Sequence, residues 1–176
     1  MKIGILGAGK ISHATVPAMI ALSEIECYAV ASRSLEKAQN FAQQYGFQKA
    51  YGSYEEMLAD PEVELVYVAS PHSHHYEHAK MCIEAGKHVL VEKAFTVNGK
   101  QAEELITLAR EKKVLLVEAM WTRFMPARQI IDDLLAEGAI GEIMSITANL
   151  GYDIKNKERL IKPELAGGAL LDVGVY

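Results

Sequence analysis

Five short runs rich in Val, Ile and Leu recur along the chain, at 2–7 (KIGILG), 25–31 (IECYAVA), 64–69 (ELVYVA), 87–92 (KHVLVE) and 114–119 (VLLVEA). Each is too brief for a typical helix and too uniformly apolar for a strand with one wet face, so each predicts a strand buried on both faces of a parallel sheet. The intervening stretches read as helices. Residues 10–22 set Ile11, Thr15, Ala18 and Leu22 on one stripe, and 98–113 do the same with Ala102, Leu105, Ile106 and Ala109, the spacing of a helix laid on a sheet. Pro17 predicts a kink in the first of these. Helices at 34–45, 53–60 and 73–86 follow Ser34, Ser53 and Ser73, and Ser53 with Glu56 makes a capping box. The order β-α-β-α-α-β-α-β-α-β predicts an α/β fold. Its sheet is doubly wound and parallel with right-handed crossovers, and ligands bind at the carboxyl ends of the strands.

After residue 120 the pattern changes. A helix over 125–137 ends near Gly138, 142–152 (EIMSITANLGY) alternates like an antiparallel strand, and 165–176 reads as a helix beginning. We therefore divide the chain into a nucleotide-binding domain at 1–120 and the start of a second, incomplete α/β domain at 121–176. The net charge of −5 and pI near 5.7 give a polyanion no clustered Lys and Arg to meet, which argues against nucleic acid. The chain enters its first strand directly, and its apolar runs fall short of the ~20 residues that cross a bilayer, which argues against secretion or a membrane and predicts a cytoplasmic protein. Cys27 and Cys82 sit in an apolar strand and on an apolar helix stripe, and read as free, hydrophobic thiols rather than a disulfide.

Gly7 and Gly9 follow a strand and open a helix. This is the context in which glycines allow a tight turn and close approach of a pyrophosphate to the backbone N–H groups of the first helical residues, Lys10 and Ile11. The third position of the glycine pattern is Ser12, small enough for close helix–strand packing. Where the second strand ends, Ser32 replaces the carboxylate that a NAD-selective protein offers the adenine ribose, and Arg33 follows. A carboxylate repels a 2′-phosphate, whereas Ser32 can hydrogen-bond it and Arg33 can pair with it. This predicts NADP, with NAD second. Four of the six histidines, His72, His74, His75 and His78, cluster in SPHSHHYEHA just past a strand end. His74 and His78 have the one-turn spacing of metal ligands, but Asp or Cys partners are missing nearby, so the cluster reads as a polar turn lining the cleft, with His78 solvated and no metal. Lys93, preceded by Glu92, stands at the carboxyl end of a buried strand and so points into the ligand crevice.

Together GILGAGKIS, ASRSLEKAQNFA, SPHSHHYEHAKMCIEAGKHVLVEKAF, VEAMWTRFMPA and GGALLDVGVY resemble the glucose-fructose oxidoreductase / inositol dehydrogenase / MocA family across essentially the whole chain. The last two stretches resemble its dimeric dihydrodiol dehydrogenase and xylose dehydrogenase branch. The resemblance implies a Rossmann domain that binds NAD or NADP, followed by an α/β domain whose open, largely antiparallel sheet forms the substrate cleft and a subunit interface. It also implies that Lys93 is the lysine of a Glu-Lys-Pro motif, with Ala94 in place of the proline. Asp172 and Tyr176 replace an Asp-x-x-x-His pair, which makes Tyr176 the proton-transferring residue. Trp121 and Arg123 would approach the cofactor, and Ser70, Pro71, His72 and His75 would border its nicotinamide half. Members of the family continue well past the last helix, so the resemblance implies a chain truncated within its second domain.

The function so implied is transfer of a hydride between nicotinamide and a hydroxyl-bearing carbon of a sugar or vicinal diol, in a homo-oligomer at full length. The 176-residue chain alone is expected to bind NADP weakly and turn over little. The other readings are a dinucleotide-binding module or sensor without turnover, which the same glycines would serve, and, more weakly, a metal-binding protein built on the histidines.

Overall fold

In the computed structural model, which describes residues 1–153 and 156–176, six strands pair edge to edge and all in parallel. They are β1 (Lys2–Leu6), β2 (Glu26–Ala31), β3 (Lys49–Tyr51), β4 (Leu65–Val68), β5 (His88–Val91) and β6 (Leu116–Glu118), in the spatial order β3-β2-β1-β4-β5-β6. Ile5 of β1 stands between Val30 of β2 and Tyr67 of β4. The chain runs outward from β1 to β3, then returns to build β4 on the other side of β1. This reversal leaves a crevice between the carboxyl ends of β1 and β4, the switch point of a doubly wound sheet.

The helices cover both faces. On one, α1 (Lys10–Ile20) and α2 (Leu35–Tyr45) bury Val16, Met19, Ala38 and Phe41 against Ile3, Ile5 and Tyr67. On the other, α3 (Tyr54–Leu58), α4 (His75–Glu84) and α5 (Gly99–Lys112) bury Met57, Cys82, Ile83 and Leu105 against Leu6, Val66 and Val89. Side chains that alternate along β1 feed the two cores in turn, which is why its sequence reads as a continuous apolar run. Helix starts follow local chemistry. Ser34, Ser53 and Asn98 each accept a hydrogen bond from the backbone N–H three residues on, satisfying a donor that the first turn leaves open.

Several expectations change. β3 joins the sheet as an unanticipated edge strand, because three residues carry no readable period. The helix expected at 73–86 starts with a 3-10 turn, His72–His74, and α4 begins at His75; the Ser73 hydroxyl lies 2.9 Å from His74 Nδ1 and caps nothing. The buried stripe of α1 is Ser12, Val16 and Met19, not Ile11, Thr15, Ala18 and Leu22. The glycine turn rolls the helix so that Ser12 faces the sheet, where its hydroxyl donates to the Gly7 carbonyl at 2.5 Å. Small size there outweighs polarity. In α5 Leu105 and Ala109 are buried as expected, but Ile106 is exposed and Leu108 packs on the core instead. α1 runs on through Pro17 for one further turn.

Beyond β6, the 3-10 turn Trp121–Phe124 leads into α6 (Pro126–Ala136), which starts on a proline at no cost because its first N–H groups lack intrahelical partners anyway. The strand expected at 142–152 does not form. A strand needs a neighbour to take its N–H and C=O groups, and in the described residues the segment has none. The helix expected at 165–176 is likewise reduced to a single turn, α8 (Ala169–Asp172), and is preceded by a short helix that was not anticipated, α7 (Glu158–Ile161), and a 3-10 turn (Pro163–Leu165).

Candidate active site at the strand ends

The turn after β1 is shaped by two glycines with different duties. Gly7 has φ +107°, in the region that favours glycine, and a Cβ there would lie 3.2 Å from the Ala69 carbonyl oxygen. It brings the end of β1 against the end of β4. Gly9 precedes the first residue of α1 with φ −101°, which any residue adopts, and a Cβ built on it would meet no atom within 4 Å. Nothing in the protein demands glycine at this position. Its bare backbone leaves open space over a helix N-terminus, with Lys10 and Ile11 exposed beside it, and a pyrophosphate needs such a cradle. Ser32 and exposed Arg33 follow the end of β2. Among the described residues the Ser32 oxygen receives only a long 3.4 Å contact from the Ser34 N–H, so both side chains remain available to a ligand at this end of the crevice.

Behind the crevice, polar side chains lock the strand ends together. Tyr67 of β4 donates to Glu92 at 2.5 Å and lies 3.2 Å from the Thr15 hydroxyl of α1. Burial, and then the Glu92 charge, pushes the Tyr67 phenol far up, so it stays a neutral donor. His75 is fully buried, with Nδ1 2.6 Å from the Ala94 carbonyl and Nε2 2.7 Å from that of Ser70. It ties the loop after β4 to the turn after β5. Burial lowers its pKa against the pull of those two carbonyls. His78, expected to be solvated, is partly buried instead. Its Nδ1 lies 2.9 Å from the Ser70 hydroxyl and its ring packs on Tyr54 and His74.

Burial holds both His72 and His78 down to about 4. In the unfolded chain they take up protons around 6.5, the ordinary value, so below that pH the unfolded state binds more protons than the folded one. Stability is therefore expected to be complete above about 6.5 and to fall as pH drops toward 4, with a shallower fall in His78→Gln. Urea midpoints across this range check it; a flat profile refutes it.

At the carboxyl end of β5 the catalytic candidates meet. Lys93 donates to both the backbone carbonyl and the side chain of Asp172, its Nζ 3.2 Å from Oδ1; the two side chains are 15% and 8% exposed. Lys93 Nζ also lies 4.8 Å from the centre of the Tyr176 ring, and Trp121 Nε1 donates to the Tyr176 oxygen at 2.9 Å. That donor occupies the phenolic oxygen from one side and leaves its proton free for a substrate oxygen. Arg159, which the sequence reading passed over, donates to Asp172 Oδ1 at 3.0 Å. It lies thirteen residues before its partner, in a stretch without a motif, and only the fold brings the two together. Burial raises the Asp172 carboxyl, but the Arg159 hydrogen bond and the charges of Lys93 and Arg159 outweigh it and hold the group below its ordinary value. Ser70, Pro71 and His72 line the loop after β4, whereas Arg123 is exposed and stays outside the cluster. Among the described residues no group of three or more His, Cys, Asp or Glu side chains could hold a metal ion, and no helix is long and apolar enough to cross a membrane.

The comparisons agree with this architecture. Trans-1,2-dihydrobenzene-1,2-diol dehydrogenase of Xenopus tropicalis is 45% identical over 177 residues, 99% of this chain and 54% of that protein. D-xylose 1-dehydrogenase (NADP(+)) of Hypocrea jecorina is 41% identical over 198 residues, all of this chain and 51% of that one. The crystal structure of KijD10, a 3-ketoreductase from Actinomadura kijaniata in complex with NADP and TDP-benzene, superposes with a TM-score of 0.87 at 34% identity, covering 100% of this chain and 55% of that one. The chain thus spans about half the length of the curated relatives it matches. Residues 1–120 match the model of the Gfo/Idh/MocA oxidoreductase family, NAD-binding Rossmann fold, and the chain belongs to that family.

Proposed function

We propose that this chain is the cofactor-binding half, with the beginning of the substrate domain, of an NADP-dependent dehydrogenase that acts on a hydroxyl of a sugar or vicinal diol. The observation that carries this reading is the meeting of Lys93, Asp172, Tyr176 and Trp121 past the carboxyl end of β5, on the same edge of the sheet as the open Gly7–Gly9 turn that follows β1. NADP, when bound, supplies the hydride acceptor and in the reverse direction the donor. The protein supplies the rest. Gly7, Gly9, Lys10 and Ile11 receive the pyrophosphate, and Ser32 and Arg33 the 2′-phosphate. Ser70, Pro71, His72 and Trp121 border the nicotinamide, with His75 and Glu92 bracing the loops behind. Arg123 reaches the cofactor only from the rim. In oxidation Tyr176 acts as the phenolate and takes the substrate hydroxyl proton, in reduction the phenol gives it back, and the Lys93 ammonium, oriented by Asp172, stabilises the alkoxide that forms.

We further propose that the domains divide at 120/121. Exposed apolar side chains of the second segment, among them Ile130, Ile131, Met144 and Ile146, offer a surface for more polypeptide and for a second copy of the protein. The reduced thiols of Cys27 and Cys82 suit the cytoplasm. By itself the chain binds NADP weakly and turns over little, because the substrate side of the crevice has few walls.

A dinucleotide sensor without turnover would use the same glycines, but it has no use for a lysine and a tyrosine packed together at the nicotinamide end. Titration with NADPH and NADH tests the cofactor assignment. Arg33→Ala is expected to remove a charge-assisted contact of about 1.5–3 kcal/mol, roughly ten- to hundredfold in affinity, for NADPH alone. Equal losses for both cofactors would overturn it. Oxidation of a panel of sugars and diols, assayed in a full-length context, separates dehydrogenase from sensor.

A further inference from the structure

We propose that Arg159 is a positioning residue of this site, sharing the Asp172 carboxylate with Lys93 so that the carboxylate is fixed in place and Lys93 is not neutralised by it. Only its consequence for turnover rests on the dehydrogenase reading above.

Three observations carry the inference. First, the segment bearing both residues closes on itself. The Gly167 N–H donates to the Lys162 carbonyl at 3.1 Å and the Gly168 N–H to that of Leu160 at 2.9 Å, while Leu160 is buried. A Cβ at Gly167 would lie 2.8 Å from the Leu160 carbonyl, so only glycine permits this approach. The clasp carries Arg159, next to Leu160, up to Asp172. Second, one carboxylate oxygen serves two cations, Asp172 Oδ1 receiving Lys93 Nζ at 3.2 Å and Arg159 Nη1 at 3.0 Å. Two positive charges against one negative leave the cluster with a net positive charge, next to the Tyr176 ring. Without Arg159, the same carboxylate and Lys93 would cancel. Third, the Asp172 side chain is nearly buried whereas Arg159 is half exposed, so the guanidinium can hold the carboxylate without paying full desolvation itself.

The groups that face Asp172 are Lys93 from the turn after β5, Arg159 from α7 and His72 from the turn before α4, the last adding a charge only when protonated. Its titration is thus a direct report on Arg159. With 13Cγ-labelled aspartate in the 176-residue chain, the Asp172 carboxyl midpoint is expected to rise in Arg159→Gln and to return most of the way in Arg159→Lys, which restores the charge. On an Asp172→Asn background, Arg159→Gln is expected to have no further effect on unfolding free energy beyond that of losing one exposed side chain. In a full-length context Arg159→Gln should lower kcat about tenfold with the KM for NADP unchanged, and Arg159→Lys should recover most of it. An unchanged carboxyl midpoint in Arg159→Gln, or equal midpoints in the Gln and Lys variants, overturns the proposal. Should Arg159→Gln fail to fold, Arg159→Lys set beside wild type decides: an Asp172 midpoint that stays close to wild type supports the charge role, and one raised to the ordinary carboxylate value overturns it. If even wild type oxidises no polyol, the dehydrogenase reading fails, while the carboxyl midpoint still decides the role of Arg159.

Discussion

Replacing Lys93 with Met in a full-length context should lower kcat by about 10²- to 10³-fold, the scale of removing one donor aimed at developing negative charge, while NADP affinity changes little. The ammonium sits at the end of β5 over the Tyr176 ring, close enough for its charge to count as the substrate oxygen becomes an alkoxide. In the ground state there is no such charge, so the loss falls on turnover rather than on binding. The fold should survive, because Asp172 keeps Arg159 as its partner and no buried carboxylate is left alone. Steady-state kinetics at saturating cofactor, set beside a cofactor titration, check this. Unchanged kcat would remove Lys93 from the chemistry, and a parallel loss of NADP affinity would recast it as a cofactor ligand.

Gly9→Val should abolish cofactor binding almost without touching stability. At this position φ is −101° and a Cβ meets nothing within 4 Å, so a side chain strains no backbone and its first atom strikes no neighbour. What it fills is the space above the first turn of α1, where a pyrophosphate approaches the backbone. Losing that approach should weaken NADPH by more than about a hundredfold, beyond about 2.8 kcal/mol at about 1.4 per decade. Gly7→Val makes the opposite control. There φ is +107° and the Ala69 carbonyl stands 3.2 Å from the new Cβ, so stability should drop along with binding, by about 1–3 kcal/mol for the strained conformation alone. Urea unfolding and NADPH fluorescence, measured on both variants, separate the two roles. A Gly9→Val protein that still binds would mean that the turn is only a connector.

The parallel sheet and the cofactor turn were legible because each depends on local chemistry. A strand buried on both faces must be apolar throughout, and a tight turn beside a helix start must be glycine. Residues 2–6, 26–31, 65–68, 88–91 and 116–118 became strands inside the runs expected for them, and Ser34 and Ser53 cap as read. Lys93 could be singled out for the same reason, since the end of a parallel strand already has a direction. The resemblance to a family added Trp121, Asp172 and Tyr176, which no spacing would have linked to a lysine 28, 79 and 83 residues away.

What only the tertiary structure decided were matters of orientation and partnership. The roll of α1, with Ser12 inward and Ile11 outward, follows from how the Gly7 turn meets Ala69, a contact between positions 62 residues apart. The burial of His78 follows from where α4 lands beside Tyr54 and Ser70. The alternation at 142–152 was real, but period alone does not make a strand without a neighbour to accept its hydrogen bonds. Arg159 had no signal at all, because an arginine outside any motif is solvated by default. It acquires a role only once Gly167 lets the chain close and sets it against Asp172. Sequence by itself marked five of the six parallel strands, the helices between them and the glycine turn after β1, since those rest on interactions within a few residues. The tertiary structure decided which charges share the site, since ion pairs across 79 and 13 residues exist only after the sheet and the clasp have formed.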